Sequence, residues 1–177
     1  MDFKMIPYTM DNYIDGDIFK SITDIVMGPD FTWHYSHSVA DGQVEEDEIY
    51  FCHNLYMGLA EPPKDGSMPQ PPSKSEYYDL FEPVFNKLPE FNILIRAKVN
   101  LYGRTSKIVH HKDHIDMTQS HRGGVFSLNT CDGGTVIGDE KFDSVSNRML
   151  FFDPSKPHHS TTCTNTKRRV NLNINYI

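Results

Sequence analysis

The part of the chain that follows Pro89 is a succession of short strand-like segments divided by turn residues. Within the segments, apolar residues alternate with polar ones or run together over a few positions, which is typical of β-strands. The turns come from Asp132-Gly133-Gly134, Gly138-Asp139 and Asp153-Pro154. Many short strands divided in this way favour a β-sandwich or a barrel. The predicted strands cover 93–102, 125–129, 135–137, 149–152 and 170–177.

Two helices are predicted before Pro89. Apolar residues recur at helical spacing over 15–27, where Gly28-Pro29 ends the pattern, and again over 75–88. Helices that precede a run of short strands indicate a mainly β (α+β) fold with the helices packed on one sheet.

Aromatic segments and loops separate the two helices. Segments 31–35 and 48–56 are rich in aromatic residues and strand-like, and the polar stretch 36–47 between them predicts a loop. The stretch 60–73 holds five prolines, which exclude regular structure. It is either a lid over a site or a passive surface loop.

Composition limits the partners and the compartment. A chain of 177 residues is expected to form one domain, and its net charge of −7, with no block of Lys or Arg, disfavours a nucleic-acid partner. Cys52, Cys131 and Cys163 are an odd number without a CxxC pair, which fits a reducing compartment. The N-terminus lacks the apolar run of a signal peptide, and no stretch is long enough to span a membrane. We therefore expect a cytoplasmic protein without a membrane partner.

The last predicted strand alternates strictly between polar and apolar residues. Because successive side chains of a strand point to opposite faces, its polar residues share one face and its apolar residues the other. The polar face either points to water or lines an internal cavity that binds a polar, anionic ligand. The polar residues are Arg169, Asn171, Asn173 and Asn175.

Six of the nine histidines lie between His110 and His159, beside two overlapping H-x-D pairs. These pairs are His111/Asp113 and His114/Asp116. In an extended segment, positions i and i+2 point the same way, so that an imidazole and a carboxylate can bind one ion. One of the two pairs is expected to bind no metal.

A third ligand has to come from a distant segment, and either His158 or His159 is suitable. Two imidazoles and one carboxylate are the ligands of the facial triad that binds Fe(II) and leaves other positions open, although Mn and Zn also accept them. A structural zinc site would want four protein ligands, usually with cysteine, and no cysteine has matching spacing. The pattern predicts an iron oxygenase.

Arg169 follows these histidines on the last strand and can hold a carboxylate through two parallel hydrogen bonds. Its neighbour Arg168 should point to the opposite face. Asn100 and Tyr102 share one face of their own strand. An amide and a phenol there could complete the grip on a dicarboxylic acid.

Several motifs of this chain resemble those of the 2-oxoglutarate- and Fe(II)-dependent oxygenases, in particular small prolyl-hydroxylase-like proteins encoded by phages. The resemblance covers most of the chain. Its motifs are Phe-Thr-Trp-His-Tyr at 31–35, Arg-Ala-Lys-Val-Asn-Leu-Tyr at 96–102, Val-Phe-Ser-Leu-Asn at 125–129, Asp-Gly-Gly-Thr at 132–135, Asn-Arg-Met-Leu-Phe-Phe-Asp at 147–153, Pro157-His158 and Arg169.

This resemblance implies a double-stranded β-helix (jelly-roll) in one oxygenase domain over 1–177, with 1–90 as N-terminal support and 91–177 as the catalytic core. It implies that the catalytic metal ligands are His114, Asp116 and His158. It also implies that 2-oxoglutarate chelates the iron through its keto-acid end. The residues implied to bind this co-substrate are Arg169, which holds the far carboxylate, Tyr102, Asn100 and Asn171.

The implied reaction converts 2-oxoglutarate and O2 to succinate and CO2 and hydroxylates a C–H bond, and it admits ascorbate as a further cofactor. In the family's halogenases a small residue stands where this chain has Asp116, so a carboxylate there favours hydroxylation. Collagen-type prolyl hydroxylases generally use Lys where this chain has Arg169.

Three functions follow as hypotheses. The first is hydroxylation of a peptide or protein, with proline as the first residue to test. The second is nucleic-acid demethylation, which the Asn100/Tyr102 pair and the Arg169-x-Asn171 strand resemble. The third is a non-catalytic metal-binding jelly-roll module.

Overall fold

The computed structural model describes residues 6–36, 50–58 and 71–177. The predicted loop over 36–47 and the proline-rich stretch 60–73 therefore lie almost entirely outside the described residues.

The first predicted helix is confirmed as α1 (Gly16–Val26). Asp15 begins it, because one oxygen of its carboxylate accepts hydrogen bonds from the backbone N–H groups of Asp17 (2.9 Å) and Ile18 (3.2 Å). The helix buries Ile22 and Val26.

The second predicted helix is wrong in its extent. Instead of 75–88, the chain forms a 3-10 turn at Asp79–Phe81 and a single α-helical turn, α2 (Glu82–Phe85). Pro83 lacks an N–H group, so it fits only the first turn of a helix and prevents an earlier start. The Ser75 hydroxyl accepts a hydrogen bond from a backbone N–H two residues later, which stabilises a turn in place of a helix.

The other regular elements of the described chain are β-strands that pair antiparallel, which confirms a mainly β fold. The strands predicted from the second part of the chain are all present, with ends that differ by a few residues. The strands are β1 (Tyr8–Met10), β2 (His34–Ser36), β3 (Tyr50–Met57), β4 (Ser73–Lys74), β5 (Leu94–Gly103), β6 (Arg122–Ser127), β7 (Gly134–Ile137), β8 (Glu140–Asp143), β9 (Arg148–Phe152), β10 (His158–Ser160) and β11 (Arg168–Tyr176).

These strands form two sheets. The large one has eight strands in the order β1-β9-β6-β11-β5-β3-β2, with β4 paired to β3, and the small one has the order β10-β7-β8. Isolated antiparallel bridges join His110 to Thr161 and His114 to His158. The segment between β5 and β6 therefore runs along β10 and extends the small sheet.

The main core lies on the apolar face of the large sheet. Val170, Leu172 and Ile174 of β11 are fully buried in one cluster, which includes Ile22 and Val26 of α1. Each such side chain contributes about 1.5–3 kcal/mol through burial. A layer of helices over one sheet, as predicted, is not evident, because the described residues form only two short helices.

None of the helices in the described part of the chain is long and apolar enough to cross a membrane.

Candidate metal centre

Polar residues of β5 and β11 lie side by side, away from the main core. The antiparallel register places Tyr102 opposite Arg169, Asn100 opposite Asn171, Lys98 opposite Asn173, and Arg96 opposite Asn175. Five of these eight residues are at most 4% exposed: Asn100, Tyr102, Arg169, Asn171 and Asn175. The polar face of β11 is therefore turned into the protein, and the alternative that it points to water is wrong.

His114, Asp116 and His158 come together at one end of this polar face. Each offers one ligand atom, and the three atoms lie within 4.8 Å of one another. Two reciprocal backbone hydrogen bonds of 3.0 Å tie His114 to His158, and the Asp116 N–H donates to the carbonyl oxygen of Pro154 at 2.9 Å. The H-x-D segment and β10 thus fix the three side chains through their backbones.

His158 offers a free lone pair to this cluster. Its Nδ1 lies 2.9 Å from the carbonyl oxygen of Lys156, which can only accept, so Nδ1 carries the proton and Nε2 does not. Nε2 is buried and has no hydrogen-bond partner within the described ranges. Burial lowers the pKa of His158, which favours the neutral imidazole. A neutral, oriented imidazole is the form that binds a metal.

Asp116 is held as a carboxylate by two side chains of the polar face. Arg96 donates to Oδ1 at 2.7 Å, and Asn175 donates to Oδ2 at 2.8 Å. Burial alone would raise the pKa of Asp116, but the charge of Arg96, together with smaller effects from the other neighbours, lowers it to about 2. Arg96 was not among the predicted site residues, although its place opposite Asn175 follows from the alternation of the two strands.

The second H-x-D pair is divided between the surface and the interior. Asp113 is exposed, and its carboxylate lies 2.6 Å from Nδ1 of His159, whose Nε2 is 2.9 Å from Nδ1 of His110. His111 is 3% exposed and lies inside. The structure therefore brings His158 to the cluster and places His159 outside it.

At the other end of the polar face, Arg169 is a buried cation without a neutralising carboxylate among the described residues. It is 1% exposed, and its NH1 and NH2 donate to the carbonyl oxygen of Thr161 at 3.2 Å and to the hydroxyl of Thr135 at 3.1 Å. Its Nε has no partner in the described chain. A buried, uncompensated charge is costly, so this arrangement fits an anion.

Arg168 is directed elsewhere, as the alternation predicted. Its NH2 donates to the carbonyl oxygen of Met27 at the end of α1, on the opposite side of β11.

The remaining predicted residues surround Arg169. The Tyr102 ring lies 5.3 Å from the guanidinium carbon of Arg169, and the side-chain amide of Asn100 donates to that of Asn171 at 3.2 Å. The Asn100 oxygen is buried and lacks a partner in the described ranges. Unsatisfied buried acceptors and donors cost about 1–3 kcal/mol each, so a bound molecule or water has to satisfy them.

His111, which is not among the metal ligands that the resemblance implies, also lies in this buried region. Its ring lies 5.2 Å from the Tyr102 ring, and its Nδ1 is 2.8 Å from the Ser160 hydroxyl. Burial, with a contribution from Arg169, lowers the pKa of His111 to about 4. No pattern in the sequence indicates that His111 faces inward, because isolated bridges alone join this segment to the strand beside it.

A cavity of about 490 Å³ opens beside Asp116, on the side away from Arg169. Among the described lining residues, the charged side chains are Arg96 and Asp116, which neutralise each other through their hydrogen bond. The rest of the wall is mostly apolar or uncharged: Met57, Gly58, Ile95, Met117, Gln119, Ser120, His121 and Ile177.

The donors of this site fit a divalent metal and an anionic chelator. Two imidazoles and one carboxylate can bind one face of an Fe(II) ion, and a closed zinc site would need a fourth protein ligand. Nε2 of His158 and Nε of Arg169 have no partner among the described residues. The metal would bind at the first, and an anionic group of the chelator at the second.

Comparison with known proteins supports the fold. The chain is similar to a solved oxidoreductase of the 2OG-Fe(II) oxygenase family from Burkholderia pseudomallei, with 12% identity, a TM-score of 0.66, and coverage of 96% of this chain and 84% of the other. It is also similar to a prolyl hydroxylase from Trichoplax adhaerens in complex with a hypoxia inducible factor oxygen degradation domain peptide fragment, with 11% identity, a TM-score of 0.59 and coverage of 97% and 83%.

A third neighbour catalyses a different reaction. The non-heme alpha ketoglutarate dependent epimerase SnoN from nogalamycin biosynthesis matches with 11% identity, a TM-score of 0.61 and coverage of 97% and 77%. No protein-family model and no curated protein matches the chain. At these identities the likeness shows a shared fold.

Proposed function

We propose that this chain is a 2-oxoglutarate- and Fe(II)-dependent dioxygenase that hydroxylates a C–H bond. The observation that carries the proposal is the placement of His114, Asp116 and His158 within 4.8 Å of one another, at one end of a buried polar face that bears an uncompensated Arg169 at the other. One divalent metal and one dicarboxylic acid would satisfy both ends together.

The proposed architecture is a double-stranded β-helix. The large sheet and the small sheet, extended by the segment that runs along β10, would be its two halves. The proposed domain spans 1–177, with 1–90 supporting the core of 91–177. The solved structures that are similar to this chain match 96% and 97% of its length, which supports a single domain.

The residues have separate tasks in the proposed reaction. When bound, Fe(II) and 2-oxoglutarate supply the oxidative decarboxylation to succinate and CO2 that places one oxygen atom of O2 on the substrate. His114, Asp116 and His158 would hold the metal, and Arg169, with Tyr102, Asn100 and Asn171 around it, would hold the far carboxylate of the co-substrate. Ascorbate stays a prediction from the resemblance.

Asp116 would also fix the reaction type. Its two oxygens are already bound by Arg96 and Asn175, so the carboxylate has one orientation toward His114 and His158. A carboxylate held in this position occupies the place that a halide would need, which favours hydroxylation.

The substrate group is proposed to be uncharged and aliphatic, as in a peptide or protein side chain, with proline as the first to test. The cavity beside Asp116 supports this, because the charged side chains among its described lining residues neutralise each other and much of that lining is apolar. The neighbour from Trichoplax adhaerens that binds a peptide supports the same class.

Demethylation of nucleic acids has less support. The residues that resemble that branch are all buried around the proposed co-substrate pocket: Asn100, Tyr102, Arg169 and Asn171. They would therefore contact the co-substrate and not the substrate. Among the described residues that line the cavity, no unpaired Lys or Arg is available for phosphates. A non-catalytic module would leave the uncompensated Arg169 without a role.

A relation to the phage-encoded branch and a cytoplasmic location stay predictions.

The test is an anaerobic titration of Fe(II)-loaded protein with 2-oxoglutarate, in which the visible charge-transfer band of the chelate is followed. We expect the band in the wild type and in Asp113→Ala, which alters the outer H-x-D pair, and no band in Asp116→Ala. Succinate release on admission of O2, followed by a screen of prolyl peptides by mass spectrometry, then tests turnover. No band in folded, metal-loaded wild type would refute the proposal.

A further inference from the structure

His111 lies inside the protein but belongs to none of the tasks assigned above. It is 3% exposed, and its backbone N–H donates to the carbonyl oxygen of Ser160 at 3.0 Å while its Nδ1 lies 2.8 Å from the Ser160 hydroxyl. The backbone and the ring of His111 are therefore both held by Ser160 of β10. Its other nitrogen, Nε2, is buried and has no partner within the described chain.

Four contacts place His111 beside Arg169. The two side chains bind consecutive residues, since Nδ1 of His111 lies 2.8 Å from the Ser160 hydroxyl and NH1 of Arg169 donates to the carbonyl oxygen of Thr161 at 3.2 Å. Both also lie against Tyr102, whose ring centre is 5.2 Å from the His111 ring and 5.3 Å from the guanidinium carbon. Two unpartnered nitrogens, Nε2 of His111 and Nε of Arg169, are thus left in one small buried region.

We infer that His111 binds the far carboxylate of the co-substrate through Nε2–H, so that this carboxylate is held jointly by an imidazole and a guanidinium. The inference rests on the proposed function. For this bond, the Ser160 hydroxyl, which lies 2.8 Å from Nδ1, has to donate to Nδ1, so that the single ring proton is on Nε2. Each of the two carboxylate oxygens then has its own donor, and neither buried nitrogen stays unsatisfied.

The pocket is consistent with a neutral donor beside a cation. A second positive charge next to Arg169 would raise the cost of burial, and the low pKa of His111 means that the ring is uncharged near neutral pH. The imidazole therefore adds a hydrogen bond without adding a charge. A dicarboxylic 2-oxo acid is preferred over one that ends in a methyl group because only the former can accept this bond.

The experiment compares two ligands and three proteins by calorimetry, with Zn(II) bound in place of iron so that no turnover occurs. The ligands are 2-oxoglutarate and 2-oxovalerate, which has a methyl group in place of the far carboxylate. The proteins are the wild type, His111→Phe, which keeps an aromatic ring on Tyr102 but has no nitrogen, and His111→Gln, which keeps a donor.

We expect His111→Phe to weaken 2-oxoglutarate binding by about tenfold or more, since a hydrogen bond to a charged group contributes about 1.5–3 kcal/mol. Binding of 2-oxovalerate should not change. The affinity of His111→Gln for 2-oxoglutarate should lie between that of the wild type and that of His111→Phe. Equal weakening of both ligands would show a structural role and overturn the inference, as would unchanged 2-oxoglutarate binding. Wild-type protein that binds 2-oxoglutarate no tighter than 2-oxovalerate would instead refute the proposed carboxylate pocket.

A measurement on the wild type alone guards against a variant that does not fold. Nitrogen-15 correlation spectra of the Zn(II)-loaded protein report which ring nitrogen of each histidine carries the proton. We expect His111 to be protonated on Nε2, with the Nε2 and attached proton signals shifted when 2-oxoglutarate binds. Protonation on Nδ1 in the complex would overturn the inference.

Discussion

Asp116 is a carboxylate whose ionised form the fold itself stabilises. Its side chain is 4% exposed, and its pKa of about 2 lies below the usual value for Asp, near 3.9, mainly because Arg96 outweighs the effect of burial. A depressed pKa stabilises the folded state above the unfolded pKa, and this stabilisation is lost as the pH falls through the folded pKa. The contribution is about 2 kcal/mol at neutral pH and declines between about pH 4 and pH 2.

We predict that Asp116→Asn destabilises the metal-free protein by about 2 kcal/mol at pH 7 and by about half as much at pH 3. Urea unfolding in the presence of a chelator at several pH values measures the difference. Asp113→Asn is the control, since Asp113 is exposed and should show no such dependence. A constant difference between pH 7 and pH 3 would mean that Asp116 is not held as an anion.

Arg169 is expected to contribute to ligand binding but not to the stability of the ligand-free protein. Its guanidinium is fully buried with no carboxylate partner in the described chain, so its charge is costly in the absence of a ligand. We predict that Arg169→Met leaves the free energy of unfolding unchanged or raises it, and weakens 2-oxoglutarate binding by a hundredfold or more, on the order of 3 kcal/mol. Urea unfolding and calorimetry on the same protein measure both.

The matched control is Arg168→Met, which changes the neighbouring arginine on the opposite face of β11. It should lose only its contact with Met27 and bind 2-oxoglutarate like the wild type. Loss of affinity in Arg168→Met but not in Arg169→Met would reverse the assignment of the two residues.

At the scale of secondary structure, the sequence predicts elements that have a clear period and misses those that do not. The alternation of β11 gave its faces correctly, and with the register of β5 it would also have identified Arg96 and Asn175. β10, with the sequence His-His-Ser, is too short to show a period, so the choice between His158 and His159 needed the resemblance. The inward turn of His111 depends on isolated bridges, which leave no pattern in the sequence.

The turn before β7 shows how closely two elements approach at the proposed carboxylate pocket. A Cβ atom on Gly133 would lie 2.4 Å from the carbonyl oxygen of Thr162 and 3.0 Å from Cδ of Arg169. The glycine is therefore required by the close approach of this turn to the backbone of Thr162 and to the Arg169 side chain of β11.

We predict that Gly133→Ala destabilises the protein by about 1–3 kcal/mol, because the backbone of Thr162 has to move, and that it weakens 2-oxoglutarate binding by displacing Arg169. Thermal unfolding and calorimetry test the two effects. Gly103→Ala is the control, since a Cβ atom there meets nothing within 4 Å. Equal behaviour of the two variants would show that this turn can move away from Arg169.

For the molecule as a whole, the metal would join parts of the chain that are far apart in sequence. His114 and Asp116 belong to the segment between β5 and β6, His158 belongs to β10, and Asp116 is tied to both strands of the buried polar face through Arg96 and Asn175. The core is assembled from apolar side chains without the metal, so we expect the metal-free protein to fold. A ligand that binds only the folded state then adds stability in proportion to its occupancy.

We predict that Mn(II) at about one hundred times its dissociation constant stabilises the wild type by about 2.7 kcal/mol and raises the unfolding temperature, and that 2-oxoglutarate raises it further. His158→Ala should lose both effects, because it removes a buried ligand, whereas His159→Ala should keep them, because His159 contacts Asp113 and His110 on the outside. Thermal unfolding with Mn(II), with Mn(II) and 2-oxoglutarate, and with a chelator measures these shifts. If His159→Ala loses the stabilisation and His158→Ala keeps it, the third ligand is His159, and the geometry of β10 has to differ from the one described.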